Sequence, residues 1–328
     1  MRKVYFGRTG LEISEIALGG GVTGGILVNP DEATRYNALR RAVAGGINWI
    51  DTAPIYGKGA SEETIGRHLE QLVPRPYIST KVALEAEDMK NIAGGIQRSL
   101  EASLMRLRLQ KVELLQLHNH IGGGVGGRQI VSVDDVLGRG GIADAFDRLK
   151  AHGLIQAGGI TAAGDTKACL EVIDSGRFDA AQVYYNAINP SAAWSRVPPD
   201  WNGQDFSGVI AACFRQNMGV LGIRVWAGGT LASPKRPERL FLMTTGTELD
   251  NEMRCAAAVK HALGAEYGTA AQTALRFVLG NRDIATRVIG ITELKHLDEA
   301  LEAVRQGPLP TPAISKLDTL WANDFHVD

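Results

Sequence analysis

Short apolar runs and amphipathic stretches alternate along the chain from Glu12 to about Val304. The runs with strand character are Ile13–Leu18, Ile47–Ile50, Tyr77–Ser79, Val112–Leu117, Gln156–Ile160, Ala180–Tyr184, Val220–Val225 and Thr286–Ile289. Between them lie stripes at helical spacing: Tyr36, Leu39 and Val43; Ile65, Leu69 and Leu72; Ile92, Ile96, Leu100 and Leu104; Ile142, Phe146 and Leu149. Leu170–Ile173, Val209–Phe214, Met253–Ala262 and Ala271–Leu279 continue the series less cleanly. Pro30-Asp31, Ser61-Glu62-Glu63 and Thr269 read as helix starts. Alternating strands and helices imply parallel strands with right-handed crossovers. Eight such units without a break in composition predict a (β/α)₈ TIM barrel in one domain, residues 1–328, rather than a doubly wound sheet. Residues 4–14 read as an N-terminal β-hairpin leading into the first barrel strand.

Composition narrows the class. The chain has 328 residues, and 35 basic against 36 acidic side chains leave a formal charge of −1, so no basic excess points to nucleic acid or an anionic membrane. Cys169, Cys213 and Cys255 are too far apart for a metal knuckle or a disulfide framework. A reducing, cytoplasmic setting is therefore expected. Arg8, Glu12 and Glu15 interrupt any signal-peptide core, and no apolar run is long enough to span a membrane. Glycine is the outlier, with 39 residues against a typical share of ~7%. Many of these glycines crowd into 122–141, a segment too long for an ordinary βα loop. Residues 190–206 form a second excursion, carrying Trp194, Pro198, Pro199, Trp201 and Phe206.

In a βα barrel the chemistry gathers at the C-terminal ends of the strands. The second run gives Asp51 and then Tyr56, the third Lys81, the fourth His118, the fifth Thr161, and the sixth Gln182 and Asn186. The seventh leads to Trp226, Gly228 and Gly229. Asp51, Tyr56, Lys81 and His118 suit proton delivery to a carbonyl oxygen. A free phenol, with a pKa of ~10, is a poor acid at neutral pH. A neighbouring ammonium favours the phenolate, and a carboxylate in turn keeps the ammonium charged. An imidazole can orient the substrate oxygen. With no activated nucleophile or metal in the set, the transferred group must come from a cofactor.

GRTGLEIS near the start, DTAPIYG followed by SEETIG, then STK and LLQLH, occur in order over nearly the whole chain. This sequence resembles the aldo-keto reductase superfamily, near its aldose-dehydrogenase-like branch. The resemblance implies a (β/α)₈ barrel binding extended NADP(H), with NAD(H) as the other possibility, and a small-molecule carbonyl or sugar substrate. It implies Tyr56 as general acid/base, Lys81 and Asp51 as its tuning pair, His118 as the orienting group, and Gln182 on the nicotinamide carboxamide. It also places Thr161 at the nicotinamide, Gly228, Gly229 and Leu231 in the pyrophosphate loop, and Gly290, Thr292 and His296 at the adenosine end. There are departures. Thr161-Ala162 stands where Ser-Asn is usual, Ile223-Arg224-Val225-Trp226 replaces Tyr-Ser-Pro-Leu, and Ala300 stands where an Asn is common.

Blander readings accompany these. Asp51 could cap a turn, Tyr56 could be a packed aromatic, and Lys81 could be a solvated strand-end lysine. His118 and His120, two apart on one strand face, could ligate a metal, but His68, His152, His261, His296 and His326 fall in predicted helices or the tail, so no metal is expected. The glycine run 122–127 could cradle phosphate but lacks the Gly-Lys-Ser/Thr that follows such a loop, so a flexible lid over the substrate is the preferred reading. Trp194, Trp201 and Phe206 read equally as loop packing or as the wall of an apolar substrate pocket. Arg224 reads equally as a cofactor contact or a salt-bridge partner. Thr292, Lys295, His296 and Arg287 are expected to cluster around a 2′-phosphate. A nicotinamide-sensing subunit without turnover is the alternative of another class. The sequence carries no signal of oligomeric state.

Overall fold

The computed structural model describes residues 1–21, 23–124, 129–235, 244 and 248–325. The chain opens with an antiparallel pair, β1 (Lys3–Tyr5) and β2 (Glu12–Ser14). The first apolar run, expected as one strand over Ile13–Leu18, divides at Glu15 into β2 and β3 (Ile16–Gly19). Glu15 is tied back to Arg2, accepting from the Arg2 backbone N at 2.8 Å, and this bends the chain between hairpin and barrel.

In order there follow α1 (Glu32–Ala44), β4 (Trp49–Asp51), α2 (Ala60–His68), β5 (Tyr77–Val82), α3 (Ile92–Leu107) and β6 (Val112–Leu117). Next come β7 (His120–Ile121), β8 (Ile130–Val131), α4 (Val133–Leu137), α5 (Ile142–Ala151), β9 (Ile155–Ala162), α6 (Thr166–Asp174) and β10 (Ala180–Tyr184). The chain then runs through α7 (Val209–Arg215), β11 (Gly219–Ile223), α8 (Leu249–Leu263), α9 (Ala270–Leu279), β12 (Thr286–Gly290), α10 (Leu294–Gln306) and α11 (Thr311–Ala322). Strands β3, β4, β5, β6, β9, β10, β11 and β12 close a parallel barrel in that order, as the alternation predicts.

Local chemistry explains the ends. Asp31 caps α1, its carboxylate accepting from the backbone of Ala33 and Thr34. Thr269 and Gln272 form a capping box at the start of α9. The expected start of α2 at Ser61 is two residues late: Gly59 is its N-cap, and Ser61 lies inside the helix, buried, accepting from the Thr52 hydroxyl at 2.8 Å.

The strand period of two sorts the barrel interior into layers. Toward the N-terminal end the inward residues are apolar: Trp49, Leu114, Ala157, Ala180 and Leu221 pack with Phe6, Leu11 and Ile13 of the hairpin. Phe6 plugs that end, its ring 5.1 Å from the Trp49 ring. Gly219 must lack a side chain there, because a Cβ would lie 2.4 Å from the Phe6 ring. One pleat further up the same faces turn polar, with Asp51, Lys81, Gln116 and Gln182 all buried.

The long segment after β6 contains the short parallel pair β7–β8 and helix α4, whose N-terminus carries a Ser132–Asp135 capping box. Of the glycine run 122–127 expected to form a lid, residues 125–127 lie outside the described residues, as does His326.

Candidate active site

Asp51 ends β4, and both of its carboxylate oxygens are committed. Oδ2 accepts from Lys81 Nζ at 2.6 Å. Oδ1 accepts from the Ser79 hydroxyl at 2.7 Å, from Gln182 Nε2 at 3.0 Å and from Gln116 Nε2 at 3.1 Å. Lys81 is 1% exposed and gives a second hydrogen bond to the Thr52 carbonyl at 2.8 Å. Burial by itself pushes the Lys81 ammonium down, but the charge of Asp51, with Tyr56 adding to it, outweighs burial and holds it above the ordinary lysine range.

Tyr56 sits in the turn between β4 and α2, half-buried, with Lys81 Nζ 4.8 Å from its ring centroid. His118, just beyond β6 and 6% exposed, meets the Tyr56 ring edge-on, centroids 5.9 Å apart and planes at 87°. Its backbone N donates to the Val82 carbonyl at 2.8 Å. Asn119 pins the following turn, bonding the Leu84 backbone in both directions at 2.8 Å. The four residues expected from three strand ends and one loop therefore meet at one place.

Sequence reasoning missed Ser79 and Gln116, because it looked just beyond each strand and both lie within one. The signal was present in the period: Ser79 shares a face with Lys81, and Gln116 shares one with His118.

Thr161 lies beside Gln182 in the β9–β10 register and is buried, with a hydroxyl that has no hydrogen-bond partner among the described residues. A buried, unpaired hydroxyl next to a glutamine amide suits a carboxamide ligand, so the nicotinamide end fits. After β11 the backbone turns through Ala227, Gly228 and Gly229 with φ of +46°, +71° and +114°. Within this turn the N–H groups of Ala227 and Gly229 donate to the Arg224 and Trp226 carbonyls, both at 2.8 Å, which holds the glycine pair in place. Leu231 is buried behind this turn, and Trp226 donates to the Ala271 carbonyl at 2.9 Å. Gly290 ends β12, and the Thr292 hydroxyl lies 2.9 Å from His296 Nδ1.

Two expectations change. Arg287 does not join Thr292, Lys295 and His296. It lies one residue into β12, fully buried, with its guanidinium on the carbonyls of Val278 and Asn281, because its strand position faces away from the mouth. Burial pushes it down to about 10. Lys295 is an exposed partner of Glu293 at 2.9 Å.

The aromatic excursion follows the packing reading. Trp194 contacts Trp201 and Trp321 of α11, at centroid distances of 5.2 and 5.7 Å, while Phe206 stacks on Tyr184 at 5.5 Å. A cavity of about 30 Å³ lies among Tyr184, Trp201, Glu252 and Phe325. Burial pushes the Glu252 carboxyl up, and the charge of Arg224 opposes this. Among the described residues no three His, Cys, Asp or Glu side chains form a metal-binding group, and no helix is long and apolar enough to cross a membrane.

The mouth of this parallel eight-stranded barrel thus holds a buried Asp–Lys pair beside a tyrosine. The chain belongs to the aldo/keto reductase family, whose model matches residues 15–322. It is similar to the L-galactose dehydrogenase of Arabidopsis thaliana, 26% identical over 306 residues that cover 92% of this chain and 87% of that protein. Among solved structures it resembles the holo form of an aldo-keto reductase from Bacillus halodurans, with a TM-score of 0.72 at 21% identity, covering 98% of this chain and 96% of the other. It resembles the glycerol dehydrogenase of Gluconobacter oxydans to the same degree, with a TM-score of 0.71 at 20% identity and coverage of 98% and 95%. At these identities the structural likeness shows the fold.

Proposed function

We propose that this chain, as a single barrel domain, interconverts aldehydes or ketones and alcohols by hydride transfer with NADP(H), using Tyr56 as the general acid/base. The observation that carries this reading is the Tyr56–Lys81–Asp51 stack beside His118. Bound nicotinamide would supply hydride to the carbonyl carbon in reduction and take it up in oxidation. Tyr56 gives its hydroxyl proton to the substrate oxygen, and His118 directs that oxygen toward the phenol. Lys81 stabilises the charge that develops on the phenol oxygen as the proton leaves. Asp51 keeps Lys81 charged in a site that burial would otherwise neutralise. Gln182 and Thr161 would hold the carboxamide, the Gly228–Gly229 turn and Leu231 the pyrophosphate segment, and Gly290, Thr292 and His296 the adenosine end.

The second reading is an NAD-dependent aldose dehydrogenase. It is favoured by the withdrawal of Arg287 from the 2′-phosphate region, by the Glu293 carboxylate held against Lys295, and by the similarity to L-galactose dehydrogenase. Both readings are tested by following coenzyme absorbance with NADPH and NADH against a panel of aldehydes and ketones, and with NADP and NAD against aldoses. Turnover with NADPH and carbonyls supports the first reading. Turnover confined to NAD and aldoses replaces it with the second.

A further inference from the structure

Oδ1 of Asp51 collects three donors while Oδ2 takes only Lys81. Two of the three have evident second tasks. The Ser79 hydroxyl accepts the Trp49 indole N–H at 2.9 Å, joining the polar layer to the apolar one below. Gln182 adjoins Thr161, in the pair proposed to hold the carboxamide. Gln116 has no such task. It is 0% exposed, its Nε2 reaches Asp51 at 3.1 Å, and its Oε1 is buried with no partner among the described residues. The carboxylate fixes this orientation, since the flipped amide would press its oxygen against Oδ1. An unpaired buried carbonyl oxygen costs roughly 1–3 kcal/mol, so a methionine of similar length would pack there without that cost. Fold stability therefore does not account for Gln116.

We propose that Gln116 is a positioning residue for proton delivery, acting through Asp51. By donating to Oδ1 it fixes the rotation of the carboxylate and draws negative charge away from Oδ2. Lys81 is then held in place without being fully neutralised, and more of its positive field reaches the Tyr56 hydroxyl. Among the described residues, the charged or titratable groups around that hydroxyl are Lys81 from β5, Asp51 behind it on β4 and His118 beyond β6. The proposal rests on the carbonyl–alcohol reading.

The test is Gln116→Met, with Gln116→Glu as a second variant. In Gln116→Met the expected results are an unchanged or slightly raised Tm, a kcat about tenfold lower, and a carbonyl KM and coenzyme Kd unchanged within about twofold. Less of the ammonium's field then reaches the phenol, so the alkaline limb of the kcat profile for reduction moves up by about half a pH unit. Gln116→Glu, as the neutral acid, still donates one hydrogen bond to Asp51, so it recovers kcat toward wild type as pH is lowered. A readout that needs no turnover is the ultraviolet titration of the Tyr56 phenol, isolated as the difference from Tyr56→Phe. Its midpoint should lie higher in Gln116→Met than in wild type. If kcat per folded molecule and both midpoints match wild type, or if the loss is confined to Tm, Gln116 is a structural residue and the proposal fails. If wild type turns over no coenzyme–carbonyl pair, the functional reading falls while the titration still judges Gln116.

Discussion

At the scale of single residues, the site turns on a lysine that burial and its partner pull in opposite directions. Lys81 is fully enclosed, yet Asp51 holds its ammonium above the ordinary range. A cation whose folded pKa is raised adds stability that is complete below the unfolded value, ~10.4 for lysine, and is lost as pH rises through the folded value. The Asp51–Lys81 contribution is therefore expected to be constant through neutral pH and to disappear only in strong alkali. In Asp51→Asn the sign reverses. Burial then dominates, the folded pKa of Lys81 falls, and the penalty is greatest where the unfolded lysine is charged. We expect Asp51→Asn to cost about 3–5 kcal/mol near neutrality, the scale for leaving one buried charge alone. The gap in Tm to wild type should narrow as pH rises toward ~10 and beyond. Thermal melts of both proteins across that range check this, and a gap that is constant or widens contradicts it.

At the scale of elements, strand identity was legible because parallel barrel strands are nearly continuous apolar runs bounded by turns. What the runs hid was the boundary at Glu15, where backbone and side-chain bonds to Arg2 divide hairpin from barrel. The inward polar residues within strands were also hidden. Ser79 and Gln116 sit inside apolar segments, and reading only the residue after each strand passed over them. Arg287 was grouped with residues beyond the last run, although it is the second residue of that run and of β12, away from the C-terminal mouth. The aromatic excursion could not be resolved from local pattern, because its partners Trp321 and Phe325 lie more than a hundred residues away.

The division of labour between the two ends of the barrel yields a separate expectation. Phe6→Ala empties the N-terminal plug beneath Trp49 and should destabilise the protein by about 3–5 kcal/mol. It should leave kcat per folded molecule close to wild type, since the apolar layer lies between Phe6 and the Asp51 network. Denaturant unfolding together with steady-state kinetics checks this. A kcat loss beyond about threefold would show that the two layers are coupled.

At the scale of the whole molecule, the residues proposed for the nicotinamide lie on β9 and β10, and those proposed for the adenosine end lie at and after the end of β12. On the proposed reading, coenzyme choice depends on a few groups at the rim after β12. With Arg287 turned away, Lys295 is the cation left at that rim from the expected set, and Glu293 pairs with it. Glu293→Gln should release Lys295 and tighten NADPH relative to NADH by about tenfold, the scale of one charge-assisted contact. Titration of tryptophan fluorescence with each coenzyme measures this. An unchanged ratio removes this rim from coenzyme selection.

The central claim is that Tyr56, driven by Lys81 and Asp51, carries the proton in a hydride-transfer reaction. Its most direct test is kcat and coenzyme Kd for Tyr56→Phe beside wild type, with whichever coenzyme and carbonyl or sugar wild type turns over. The account predicts that kcat falls by about a hundredfold or more while coenzyme Kd stays within about twofold. Turnover in Tyr56→Phe equal to wild type would contradict it, as would a wild-type protein that binds coenzyme and never oxidises or reduces it.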